Sequence, residues 1–198
     1  MRLGLIEIIV VKVNIPVSER KKALLVIDVQ DIFMNKHVEH IPGRIVSLIK
    51  EIEYSIYVEA LFHAEAGSIW DRQQQWTGPK NGHLFSMPEL SSALGNKRAV
   101  YLEKETRSAF KGEFQLHQYL QDNDIKEVHI VGVDTSDCVL ATAHEAFDLG
   151  YFTFVIEECC QVAHDRTLHE KAVDILRFGK LTNNSCIEDI HSVTVDLD

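Results

Sequence analysis

Three residues with complementary chemistry each follow a short apolar run. Asp28 comes directly after Ala23-Leu24-Leu25-Val26-Ile27, Lys104 closely follows Ala99-Val100-Tyr101-Leu102, and Cys138 comes a few residues after Val128 to Val131. A carboxylate can take a proton, an ammonium can hold negative charge in place, and a thiolate is a strong nucleophile toward carbonyl carbon. The stretch Gly132-Val133-Asp134-Thr135-Ser136-Asp137-Cys138-Val139 is the most informative. Thr135 and Ser136 are helix-capping types, which predicts Cys138 in or near a first helical turn. A helix N-terminus and a nearby lysine both favour a thiolate and lower the thiol pKa, and free N–H groups there can hold an oxyanion. Each residue also has an ordinary reading. Asp28 can be a strand-end cap, Lys104 part of a solvated charge run, and Cys138 a small buried hydrophobe. No G-x-S-x-G elbow is present, so serine-based hydrolysis of that kind is disfavoured.

Strand-like and helix-like segments alternate from residue 23 onward and would position these groups. Residues 23–27 read as a strand buried on both faces, as a parallel sheet requires. Ile45, Leu48, Ile49 and Ile52 then share one helix face. Further strands are predicted at Ser55 to Phe62, Ala99 to Leu102, Val128 to Val131 and Phe152 to Ile156, with a weak sixth at Lys180-Leu181-Thr182. Helices are predicted from Pro88 to before Gly95, from Gly112 to Asn123, over residues 137–149 with Val139, Ala143, Ala146 and Phe147 inward, and from an Asp165 cap. The last is expected to bury Leu168, Ala172, Ile175 and Leu176. Such alternation implies an α/β domain with helices covering a parallel sheet, and ligands in such folds bind at the carboxyl ends of the strands. Residues 64–85 form a long polar segment, the kind of loop that usually has a function.

The chain has 198 residues and a formal net charge of −10. That length suits one domain with one sizeable core. The acidity argues against nucleic-acid or anionic-membrane partners, which need a basic footprint. Cys138, Cys159, Cys160 and Cys186 form neither a C-x-x-C pair nor a four-ligand zinc spacing, so a reducing, cytoplasmic setting is expected. The first 20 residues are rich in β-branched types and read as an accessory strand or hairpin before a domain over residues 21–198. Glu7 and Lys12 interrupt the apolar run, so a signal peptide is not expected.

At ALLVIDVQDIF (residues 23–33), YLEKETRSAF (101–110) and GVDTSDCVLATAHEAFDLGY (132–151), the sequence resembles the isochorismatase-like cysteine hydrolases, which include nicotinamidases and N-carbamoyl amidohydrolases. The resemblance covers about residues 22–190. It implies a three-layer α/β/α sandwich around a six-stranded parallel sheet. It also implies a catalytic set of Asp28, Lys104 and Cys138, with an oxyanion hole made by the backbone N–H groups of Asp134 and Cys138. A cis Val133–Asp134 peptide, aiming those groups, is implied as well. The reaction implied is hydrolysis of a small amide or related C–N bond through a thioester, with no cofactor, in a homo-oligomer. Phe33, Trp70, Trp76 and Phe110 are candidate pocket residues, although such aromatics can equally pin a loop to the core. Trp70 and Trp76 could instead serve a neighbouring subunit.

Two departures matter. Many relatives carry a small residue where this chain has Asp134; a carboxylate there would repel an anionic substrate and can recognise an amine or amide donor. The Asp-x-His metal pair of the nicotinamidases is missing, with His63-Ala64-Glu65 the nearest approach and His37 and His40 in an earlier loop, so no metal is expected. Enzymes acting on isochorismate do not depend on the cysteine, so its presence favours the acyl-transfer branch. The competing readings are an isochorismatase-type hydrolase, a non-catalytic binding or scaffold protein and, less favoured, a thiol-redox protein.

Overall fold

The computed structural model describes residues 16–78 and 85–182. The expected N-terminal strand and Cys186 lie outside these residues; within them, Val17–Glu19 is one 3₁₀ turn. The chain then alternates strand and helix. Strand β1 (Lys22–Ile27) is followed by helix α1 (Ile41–Glu51), and β2 (Ile56–Phe62) by the short α2 (Ile69–Arg72) and α3 (Pro88–Leu94). Strand β3 (Ala99–Lys104) leads to α4 (Leu116–Asp122), β4 (Glu127–Gly132) to α5 (Leu140–Asp148), and β5 (Phe152–Cys160) to α6 (Arg166–Phe178).

All strand pairs are parallel, in the order β3-β2-β1-β4-β5. The continuous apolar run of residues 23–27 therefore lies at the centre, fully buried. Its alternate side chains serve two cores. Ala23, Leu25 and Ile27 pack with Leu116, Leu120, Val139, Ala143 and Leu176 on one face. Leu24 and Val26 pack with Ile41, Ile45, Leu48, Leu90 and Leu94 on the other. This is the three-layer arrangement expected of a both-faces-covered parallel sheet.

Among the described residues the sheet has five strands rather than the expected six. At the sixth position there is one parallel bridge, Val155 to Thr182, with the Val155 N–H donating to the Leu181 carbonyl at 2.8 Å. A single bridge does not make a strand, and the described chain ends there. The helix faces also differ in part. Phe147 is exposed, as are Leu168 and Ile175 on α6. The buried stripe of α6 is Ala172, Val173 and Leu176, with the half-buried His169 in line. It is rotated by about one residue, and His169 Nδ1, 2.9 Å from Thr135 Oγ1, anchors that rotation. The helix expected from Gly112 begins only at Leu116, after a 3₁₀ turn at Ala109–Lys111.

Candidate active site

The carboxyl ends of β1, β3 and β4 bring Asp28, Lys104 and Cys138 together. Asp28 leaves β1 with a φ of +53°, a left-handed conformation that Asp tolerates better than most residues, and its N–H donates to the Ala60 carbonyl at 2.9 Å. Lys104 is the last residue of β3, and its Nζ donates to Asp28 Oδ2 at 2.7 Å and to the Thr106 carbonyl at 3.0 Å. Both side chains are buried. Asp28 Oδ1 is buried without a hydrogen-bond partner among the described residues, while the Cys138 thiol is close enough to interact with both Asp28 and Lys104. The lysine therefore fixes one carboxylate oxygen and leaves the other available to the thiol proton.

Cys138 does not sit in an ordinary first α-helical turn. Thr135–Val139 form a π turn that runs into α5. The peptide Val133–Asp134 is cis. Thr135 N–H donates to the Gln161 carbonyl at 3.1 Å, and the N–H groups of Asp137 and Val139 donate to the Asp134 carbonyl at 3.1 and 3.2 Å. The amides of Asp134 and Cys138 lie outside these bonds. Thr142 locks the turn from below: its Oγ1 donates to the Cys138 carbonyl at 2.7 Å and accepts the Ala109 N–H at 3.1 Å.

These groups face a cavity of about 280 Å³, lined in part by Asp28, Phe33, Phe62, Trp70, Trp76, Asp134, Asp137, Cys138 and His164. Three of the four expected aromatics line it. Phe33, Phe62, Trp70 and Trp76 form one cluster, with Trp70 edge-on to Phe62 at 4.8 Å and its indole N–H donating to the Glu105 carbonyl at 2.6 Å. Phe110 is not among the lining residues. Its ring stacks on Tyr151 at 6.0 Å against the core, the loop-pinning alternative for such an aromatic. Phe62, Asp137 and His164 were not singled out from sequence, although Phe62 closes β2 and His164 follows β5, positions that the strand-end rule covers.

The charges in the cavity are mostly negative. Asp134 accepts the Ala163 N–H at 2.8 Å, and burial raises its pKa against that bond. Asp137 pairs with Arg107, whose guanidinium lies 4.6 Å from the Trp70 ring. Both cations near the cavity, Lys104 and Arg107, are thus already matched to acids.

Burial pushes the Cys138 thiol well above its ordinary range, and the Asp28 charge adds to this more than Lys104 relieves it. This reverses the expected lowering, because Cys138 is only 8% exposed and its nearest charged neighbours include an acid. Burial also raises Asp28, against the pull of Lys104 and Cys138. Burial acts to lower Lys104, but Asp28 and Cys138 outweigh it and hold the ammonium above its ordinary value. Lys104 thus holds its proton more tightly than a free lysine, Asp28 is an anchored carboxyl group of raised basicity, and the Cys138 thiol gives up its proton less readily than a free cysteine.

Among the described residues, no group of three or more His, Cys, Asp or Glu side chains is placed to hold a metal ion. At the end of β2, His63 lies within ion-pair distance of Glu65, at 3.4 Å.

The isochorismatase domain model matches residues 22–185. An uncharacterised isochorismatase family protein of Bacillus subtilis is 29% identical over 149 residues, which is 71% of this chain and 73% of that protein. Nicotinamidase 3 of Arabidopsis thaliana is 36% identical over 78 residues, covering 39% of this chain and 38% of that one. Among solved structures, N-carbamoylsarcosine amidase from Thermoplasma acidophilum superposes with a TM-score of 0.68 at 20% identity, over 82% of this chain and 94% of that chain. With its family match spanning most of its length and a parallel-sheet fold to go with it, the chain belongs to the isochorismatase family of hydrolases.

Proposed function

We propose that the protein hydrolyses the C–N bond of a small, uncharged or cationic amide through a Cys138 thioester. The observation that carries this reading is the buried Lys104–Asp28 pair, 2.7 Å apart, with the second Asp28 oxygen unpartnered beside the Cys138 thiol. As the amide enters, Asp28 takes the thiol proton and the sulfur attacks the carbonyl carbon. The raised basicity of Asp28 suits this transfer. The N–H groups of Asp134 and Cys138 receive the oxyanion, a role worth about 10²–10³ in rate for a donor in other enzymes. Asp28 then gives its proton to the departing nitrogen, and the C–N bond breaks to leave a thioester. Water, losing its proton to Asp28, attacks the thioester; the acid leaves, and the sulfur recovers its proton. Lys104 stays charged throughout and keeps the site from carrying uncompensated negative charge.

The lining supports an uncharged or cationic substrate. Aromatic faces attract cations and stack on flat amides, and Asp134 disfavours a carboxylate. Nicotinamidase and N-carbamoylsarcosine amidase, the activities named for relatives of this chain, both fall within amide hydrolysis. The carboxylate of an N-carbamoyl amino acid, or of isochorismate, would find no unpaired lysine or arginine among the lining residues.

The test is ammonia release from aromatic primary amides, neutral and cationic, and from carboxylate-bearing amides, with wild type and Cys138→Ala. Turnover of the first group, with a loss of at least about 10³-fold in Cys138→Ala, is expected. Undiminished turnover by Cys138→Ala would sink the mechanism, and a preference for the carboxylate-bearing amides would sink the substrate class.

A further inference from the structure

Seven of the described cations have an acid within ion-pair distance: Arg20 has Glu127, Lys21 and Lys126 share Asp124, Lys104 has Asp28, Arg107 has Asp137, Lys111 has Glu145 and Arg177 has Glu157. Lys36, Arg44 and Arg166 form no ion pair among the described residues, in a chain with 30 acidic against 20 basic side chains. These three come from different segments, the loop before α1, the first turns of α1 and the start of α6, yet they line one cleft of about 370 Å³. His37 and His40 complete its basic side, Gln161 and Val162 close it, and no acid lines it. Arg44 is held in place, its Nη1 donating to the Glu158 carbonyl at 2.8 Å. Burial lowers the His40 pKa, and Arg44 and Arg166 lower it further while Glu39 opposes them, which places both guanidiniums within electrostatic reach of His40.

Like charges gathered on a concave surface repel, and in an acidic chain composition does not require it. Two guanidiniums and an ammonium suit a phosphate-type ligand, because arginine pairs with phosphate oxygens through two parallel hydrogen bonds. Three permanent positive charges match the roughly three negative charges of a diphosphate near neutral pH. We propose that this cleft is a binding site, separate from the Cys138 cavity, for a small molecule carrying a diphosphate group. No described residue lines both, but the segments that carry their linings are hydrogen-bonded to one another. Gln161 in the cleft accepts the Thr135 N–H of the cysteine turn, and Asn35, next to Lys36, donates to the Ala163 carbonyl at 3.0 Å.

The test is calorimetric titration with inorganic pyrophosphate, at low ionic strength and again at about 150 mM salt. One-to-one binding, tighter than for phosphate or sulfate, is expected. The double variant Arg44→Gln/Arg166→Gln should bind roughly tenfold more weakly or worse, while Lys50→Gln, an exposed cation at the far end of α1, should bind as wild type. Absence of saturable binding, or equal binding by the double variant, overturns the site; so does an equal loss in Lys50→Gln, which would mark general attraction to charge. Circular dichroism checks that the variants fold. If the double variant does not, the wild-type imidazole resonances of His37 and His40 decide: a saturable shift with pyrophosphate supports the site, and none overturns it.

Discussion

The placement of Cys138 separates two ideas that sequence reasoning runs together: a nucleophile and a permanently ionised thiol. Its pKa is raised by burial and by Asp28, so its proton stays on sulfur until a base removes it. Alkylation of Cys138 by iodoacetamide at pH 7.5, read by mass spectrometry, should therefore be slower than that of an unstructured cysteine peptide. Asp28→Asn should raise that rate and, on the proposed mechanism, abolish amide hydrolysis, because it removes both the repelling charge and the proposed base, and leaves Lys104 with the thiolate as counter-ion. An unchanged or slower rate in Asp28→Asn would contradict this account. Lys104→Met leaves a buried carboxylate unpaired and should cost about 3–5 kcal/mol in chemical denaturation, as removing one partner of a buried ion pair does.

At the scale of elements, the site depends on how β4 turns into the cysteine segment. Gly132 has a φ of +124°, and an added Cβ would press on the backbone of Ile27. Gly132→Ala should lower stability by about 3 kcal/mol or more and weaken the Val133 N–H bond to the Ile27 carbonyl, 3.0 Å in the native chain. Thr142 couples α5 to the loop after β3. Thr142→Val removes both of its hydrogen bonds and should cost about 1–2 kcal/mol, whereas Thr142→Ser should keep most of the stability. Thermal unfolding of the three variants checks both statements. Gln30 does comparable work between β1 and β2: its side chain donates to the Phe62 carbonyl at 3.0 Å and accepts the Phe62 N–H at 2.6 Å.

Over the whole molecule, buried titratable groups set the response to alkali. Cys138 and Cys160 are raised well above the ordinary thiol value of 9.0, Cys159 is pushed up to about 12 and Tyr151 also to about 12, in each case mainly by burial. Thiols with raised folded pKa values hold protons that the unfolded chain releases. Their contribution is thus fully present below pH 9.0 and is lost as pH rises through the folded values. The melting temperature should fall steadily from about pH 9 upward, and less steeply in Cys159→Ala. A flat profile between pH 9 and 11 would refute this.

Local sequence determined much of this protein. Residues 23–27 are continuously apolar because a central parallel strand is buried on both faces, and that alone located β1 and the strand end bearing Asp28. The same logic located Lys104 and the cysteine turn, since residues after apolar runs reach the carboxyl edge of the sheet. Tertiary structure decided what spacing cannot carry. That Lys104 reaches Asp28, 76 positions earlier in the chain, follows from the strand order, which places β2 between their strands. Phe110 and Trp70 are both aromatics in loops, and only packing sends one to Tyr151 and the other to the cavity. Cys138 follows capping residues that favour a thiolate, yet burial against a carboxylate raises its pKa, because desolvation depends on the whole surrounding fold. The gathering of Lys36, Arg44 and Arg166 into one cleft is likewise invisible along the chain, where more than a hundred residues separate the first two from the third.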